Sequence, residues 1–185
     1  MILAGGAAGE GAASLGAARQ VLKAAFAGKS ATLVSGGTDS GIPGLAGELA
    51  AAMPRLFVVG YLPRWPSSGA RRDRRYGRLR TTPARDFSAA EALLAWSEII
   101  ASGAAPADVA LLGWGGGRIA ALEYRIALAL GARVGLVEGS GRAADELLRD
   151  KGWACRPNLE RLAADGRAVR RFLFPRTQPR GGARR

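Results

Sequence analysis

Short apolar runs recur along the chain, separated by longer stretches of helical period. The runs are Ile2-Leu3-Ala4, Thr32-Leu33-Val34-Ser35, Leu56-Phe57-Val58-Val59-Gly60-Tyr61-Leu62, Val109-Ala110-Leu111-Leu112 and Arg133-Val134-Gly135-Leu136-Val137. They show little polar alternation, the pattern of strands buried on both faces. After the first run, Leu15, Val21, Leu22 and Phe26 fall on one side of a helix; after the second, Leu45, Leu49 and Met53 do the same. Pro43 suits the first turn of that second helix, where its missing N–H costs nothing. Ser88-Ala89-Ala90-Glu91 has capping-box spacing and precedes a stripe of Leu93, Leu94, Trp96, Ile99 and Ile100 that Gly103 ends. Trp96 reads as packing in that stripe. Further helices are predicted over about 118–130, from about 142 to 150, and over 158–172. Strands alternating with helices predict an α/β fold, a doubly wound, mostly parallel sheet with helices on both faces. Residues 1–174 read as one domain, and residues 175–185 as a basic, disordered tail.

In such a sheet right-handed crossovers carry every strand-to-helix turn to one edge. Four of these turns are rich in glycine or hydroxyls: Gly5-Gly6, Ser35-Gly36-Gly37-Thr38-Asp39-Ser40-Gly41, Gly113-Trp114-Gly115-Gly116-Gly117 and Glu138-Gly139-Ser140-Gly141-Arg142. Glycine permits positive φ and close backbone approach, and a helix start aims unpaired N–H groups at whatever lies before it, which suits a phosphate. Thr38, Ser40 and Ser140 are candidate donors to phosphate oxygens, Glu138 a candidate acceptor from ribose hydroxyls, and Arg118 and Arg142 candidate phosphate clamps. Each has a plainer alternative: the serines as caps, Arg142 pairing with Asp145 or Glu146, and Glu123 pairing with Arg118 or Arg125 on its own helix.

Two other glycine patterns carry less. Gly9-Glu10-Gly11-Ala12-Ala13-Ser14 departs from the dinucleotide fingerprint at its last position, and Gly139 to Ala144 fits GxGxxA without the acid-bearing second strand that a dinucleotide site needs. Gly28-Lys29-Ser30 resembles the end of a P-loop, but Lys23 stands where the first glycine belongs and the tripeptide precedes a strand. A P-loop ATPase is excluded.

Charge changes the picture only locally. The 185-residue chain has a formal charge of +12. Residues 64–85 hold eight arginines against Asp73 alone, and residues 167–185 hold seven arginines and no acid, so the remainder is slightly acidic. The first segment has no apolar period and reads either as a solvated insertion loop or as a basic lip over an anionic ligand. A polyanionic partner such as nucleic acid is a secondary expectation. The absence of histidine excludes Ser-His-Asp and Cys-His nucleophiles and imidazole-ligated metals; Cys155, the one cysteine, excludes an internal disulfide. No metal site is expected, and no cofactor beyond a nucleotide-type ligand. The sequence has no membrane-length apolar run and no basic region before its apolar start, so a cytoplasmic protein without membrane attachment is expected.

The runs SGGTDSGIPGLAGELA, LLGWGGGRIAALEYRIALALGA and VGLVEGSGRAADELL resemble the SLOG superfamily of LOG and Smf/DprA-like proteins. Within it they are most similar to the LSDAT branch found at the N-terminus of melastatin-type TRP channels (TRPM) and in prokaryotic relatives. The resemblance spans roughly residues 2–150. It implies a Rossmann-like sheet binding a nucleotide or nucleotide derivative, with ADP-ribose-type molecules leading, a ligand-sensing role and a homo-oligomer. By matching motifs it points to Gly36, Gly37, Thr38, Gly41, Gly116, Gly117, Glu138, Ser140, Gly141 and Arg142. The catalytic LOG branch, a nucleotide phosphoribohydrolase, carries PGGxGTxxE, and aligning its glutamate with Glu123 puts Gly116 and Gly117 on its glycine pair. Gly115 replaces the proline, Ile119 the later glycine and Ala120 the threonine. The resemblance therefore implies binding without turnover, with an N-glycosidase using Glu123 as the alternative and DprA-like single-stranded DNA binding by residues 71–85 as a third reading.

Overall fold

A computed structural model describes residues 1–7, 9, 11–66 and 69–175. Seven strands form one sheet: β1 (Ile2–Gly5), β2 (Ala31–Ser35), β3 (Leu56–Pro63), β4 (Arg78–Thr82), β5 (Ala110–Trp114), β6 (Arg133–Val137) and β7 (Leu159–Leu162). Their spatial order is β4-β3-β2-β1-β5-β6-β7, and every pairing is parallel. The order reverses direction between β1 and β5. At such a point the connections leave the sheet to opposite sides and open a crevice beyond the strand ends.

The helices are α1 (Ala12–Phe26), α2 (Gly41–Ala52), α3 (Ala89–Ala101), α4 (Arg118–Ala129), α5 (Arg142–Arg149), α6 (Lys151–Ala154) and α7 (Gly166–Leu173). One core layer packs Leu22, Phe26, Leu45, Leu49, Val169 and Phe172 of α1, α2 and α7 on Leu3, Leu33, Val58 and Leu112 of the sheet. The other packs Trp96, Tyr124, Ala127 and Leu147 of α3, α4 and α5 on Ile2, Ala4, Val34 and Leu111. Alternate residues of the central strands therefore feed opposite layers, which is why those strands read as continuous apolar runs. The capping box of α3 is formed, with Ser88 Oγ accepting from Ala90 N and Glu91 accepting from Ser88 N.

Two elements differ from expectation. Residues 64–85 are not all loop, since Arg78–Thr82 form β4 at the sheet edge. An edge strand has one backbone partner and half-exposed faces, so RLRTT needs no apolar run. Residues 73–76 lie on α2: Tyr76 is buried and donates to Pro43 O at 2.8 Å, Arg75 Nη2 donates to Gly44 O at 3.3 Å, and Asp73, 2% exposed, accepts from Arg75 Nη2 at 2.7 Å. The helix expected over 158–172 is divided into β7, a turn, and α7, whose start Asp165 caps by accepting from Ala168 N at 2.8 Å. Of the tail read as disordered, residues 175–185, all but the first lie outside the described residues.

The first two turns are in backbone contact. Gly41 has φ +60°, and a Cβ there would lie 2.0 Å from Gly6 O. Gly41→Ala is expected to lower unfolding free energy in urea by about 2 kcal/mol or more, from left-handed strain together with the clash. Unchanged stability would show that these turns tolerate separation.

Candidate functional site

The strand ends bring all four turns to one edge of the sheet. There a cavity of about 470 Å³ descends between the sheet face and helices α3 and α4, at the β1/β5 reversal. Its floor and walls are apolar, with Ile2, Val34, Leu111 and Trp96 among them. Of the residues anticipated for a ligand, Gly5, Gly6, Ser35, Gly36, Thr38, Gly117, Arg118, Glu123 and Arg142 line it. Gly37, Ser40, Gly41, Gly115, Gly116, Glu138, Gly139, Ser140 and Gly141 do not line it.

The division has a physical basis in where each turn's donors go. At the start of α2, Ile42 N donates to Gly6 O at 2.9 Å, Pro43 has no N–H, and Gly44 N donates to Ser40 O at 3.0 Å. That helix start is largely closed by the first turn. Gly37 O and Asp39 N hold the arginine segment through Asp73 N and Arg71 O. Ser35 Oγ donates to Leu3 O at 2.8 Å, tying β2 to β1.

At the start of α5 the donors are also committed. Ala143 N and Ala144 N donate to Gly116 O and Gly115 O, while Gly139 N and Gly141 N donate to the Asp145 carboxylate at 2.8 and 3.1 Å. Ser140 Oγ accepts from Gly115 N at 2.9 Å and donates to Val137 O. Glu138 is 56% exposed and pairs with Arg161 of β7. The EGSGR turn thus braces the GWGGG turn and contributes one side chain, Arg142, to the cavity. Arg142 has φ +52°, the one positive φ outside glycine among the described residues. Its guanidinium sits beside Gly9 and Gly117, where an added Cβ at either would meet it at 3.1 Å.

The start of α4 is the helix end that faces the cavity. Gly117 caps it without a side-chain bond, and Gly117, Arg118, Ile119 and Ala120 all line the space. First-turn N–H groups and the helix dipole face the space, and Arg118 and Arg142 both line it, a set of groups suited to an anion. The arginines of residues 64–85 are elsewhere: Arg71 pairs with Asp39, Arg75 with Asp73 and Arg80 with Glu98, and none lines the cavity.

Deeper in, Glu123 of α4 and Glu91 of α3 reach the same space from the flanking helices. Burial, and then the charge of Glu91, push the Glu123 carboxyl up from 4.5 to about 7. Glu91 is 5% exposed and is held by Ser88 N and by the Thr82 hydroxyl. In the sequence Glu91 carried only its capping role, which the structure bears out; the cavity role was hidden because nothing local places α3 opposite α4. Tyr61 and Phe87 complete the aromatic lining with Trp96, which is packed as expected and also borders the cavity. Thr38 is 1% exposed, and among the described residues its Oγ1 has no hydrogen-bond partner. Such buried orphans are rare, and the residue itself borders the cavity.

Among the described residues, no cluster of three His, Cys, Asp or Glu could hold a metal ion, and no helix is long and apolar enough to cross a membrane. No protein-family model matches the chain, and no curated protein does. Solved structures do match. The structural-genomics target TM1055 is similar with a TM-score of 0.61 and 18% identity, over 91% of this chain and 94% of its own. The molybdenum cofactor carrier protein of Chlamydomonas reinhardtii is similar with a TM-score of 0.62 and 18% identity, over 91% of this chain and 92% of its own. At that identity the likeness is one of fold. The chain has the Rossmann-like α/β fold that these two proteins share, as the superfamily resemblance implied.

Proposed function

We propose that the crevice binds a phosphorylated small molecule of nucleotide type, ADP-ribose-like derivatives included, and that the chain senses or carries this ligand without turning it over. The observation that carries the reading is that the start of α4, Arg118 and Arg142 all line one largely apolar space of ligand size. The SLOG resemblance supports the same ligand class, and one fold neighbour is named as a carrier of a small-molecule cofactor. The assignment to the branch found on melastatin-type channels belongs to this proposal as well.

One observation favours a second reading, the N-glycosidase. Glu123 is a carboxyl lifted to about 7 and facing a second carboxylate, and environments that set two such groups apart suit acid–base work on an oxocarbenium-like sugar. The two readings separate on one experiment. The protein is purified without added nucleotide and denatured, and the released small molecules are analysed by mass spectrometry. An intact phosphorylated heterocycle is the expected result. Free base with ribose phosphate, produced on incubation with nucleoside monophosphates and lost in Glu123→Gln, is the enzyme's signature.

A further inference from the structure

The cavity has two electrostatic ends. Its mouth is positive, from Arg118, Arg142 and the start of α4, and its interior holds Glu91 and Glu123 on facing helices. A phosphate is drawn to the first and repelled by the second, so a bound ligand is oriented. Glu123 lies five residues beyond Arg118, about 7.5 Å further along the α4 axis. A ligand anchored by its phosphate at the mouth therefore sends its other end, and not the phosphate, towards Glu123.

That end meets apolar and aromatic walls, Ile2, Val34, Phe87 and Trp96, which suit the faces of a flat ring. It also meets carboxylates, and an ionised carboxylate only accepts hydrogen bonds. Glu91 is already held by Ser88 and Thr82. Glu123 faces the cavity as the acceptor left for the ligand, and a ring that presented only acceptors there would leave two lone-pair faces opposed in an apolar space.

Resting on the phosphate-binding reading above, we propose that Glu123 recognises a ring edge with two adjacent N–H donors, as in 2-amino-4-oxo heterocycles of the guanine type. Two parallel N–H···O bonds to one carboxylate reproduce the fork by which a guanidinium is held. An adenine-type edge, that of ADP-ribose-like derivatives included, offers a ring acceptor at the central position and loses this pairing, so within the nucleotide class proposed above adenine derivatives are the weaker binders. Ring-edge donors and sugar hydroxyls share the chemistry that a carboxylate accepts, so the test must separate them.

The test is titration of the wild-type protein at pH 8 with GMP, IMP, AMP and ribose 5-phosphate. GMP is expected to bind at least tenfold tighter than AMP, with IMP between them and ribose 5-phosphate weakest. In Glu123→Gln the GMP preference is expected to fall below threefold while affinity for ribose 5-phosphate is retained, with the melting temperature confirming a folded variant. AMP within threefold of GMP on the wild type overturns the inference without any variant, and so does a GMP preference that survives Glu123→Gln. Ribose 5-phosphate binding as tightly as GMP assigns Glu123 to the sugar and likewise overturns it. Each of these leaves phosphate binding intact, whereas a failure of all four ligands to bind overturns the underlying reading.

Discussion

Replacing Arg118 and Arg142 together by alanine is expected to weaken binding of a phosphorylated ligand at least a hundredfold while leaving the protein folded. Each guanidinium lost from a charge-assisted, partly desolvated contact removes about 1.5–3 kcal/mol, so two account for that factor or more. Neither belongs to an apolar core layer. Arg142 adds a sharper form of the same test. Its φ of +52° is one that an L-residue holds at a cost of about 1–2 kcal/mol, and glycine holds it freely. Backbone strain at a residue whose side chain lines the ligand space is the pattern expected where function opposes stability. Arg142→Gly should therefore weaken ligand binding by tenfold or more without lowering the melting temperature, read by calorimetry and thermal unfolding on one preparation. A variant that loses stability in step with affinity would show that Arg142 serves the fold instead.

The second large effect is one of pH. Glu123 is raised from 4.5 to about 7 by burial and by Glu91. Its other charged neighbours at the cavity are Arg118 and Arg142, at the mouth. Because the folded state holds the proton more tightly than the unfolded chain, this group's contribution to stability is complete below about 4.5 and is lost as pH rises through about 7. The ceiling on that loss is ~3 kcal/mol. Glu123→Gln removes the titration. The variant is therefore expected to match the ligand-free wild type near pH 4.5 and to exceed it in urea unfolding at pH 8 by up to ~3 kcal/mol. Equal stabilities at pH 8 would mean that Glu123 ionises there at no cost, and the apolar description of the interior would fail.

The central sheet was legible because β1, β2, β3, β5 and β6 are largely covered on both faces and are therefore mostly apolar. The edge strands β4 and β7 are not under that constraint. RLRTT and LERL are strands because a neighbour offers backbone partners, which no local pattern announces. The same distinction governs the site. Glycines at the turns were visible, and so was the edge they share. Invisible was the destination of their N–H groups, since the start of α2 is met by Gly6 O and that of α5 by the carbonyls of Gly115 and Gly116. A glycine-rich turn against a phosphate and one against a neighbouring carbonyl have the same composition. Of three similar helix starts, tertiary contact leaves that of α4 facing the cavity. Glu91 escaped for a related reason: its capping box accounted for it completely until α3 was placed opposite α4.

The central claim is that one phosphorylated molecule per chain seats at the start of α4 between Arg118 and Arg142. Titration calorimetry with nucleoside monophosphates, on the wild type and on the Arg118→Ala/Arg142→Ala protein side by side, tests it most directly. The expected result is saturable binding at one site per chain that the double variant loses; saturable binding that persists without either arginine, or no saturable heat from any of the nucleotides, would contradict it.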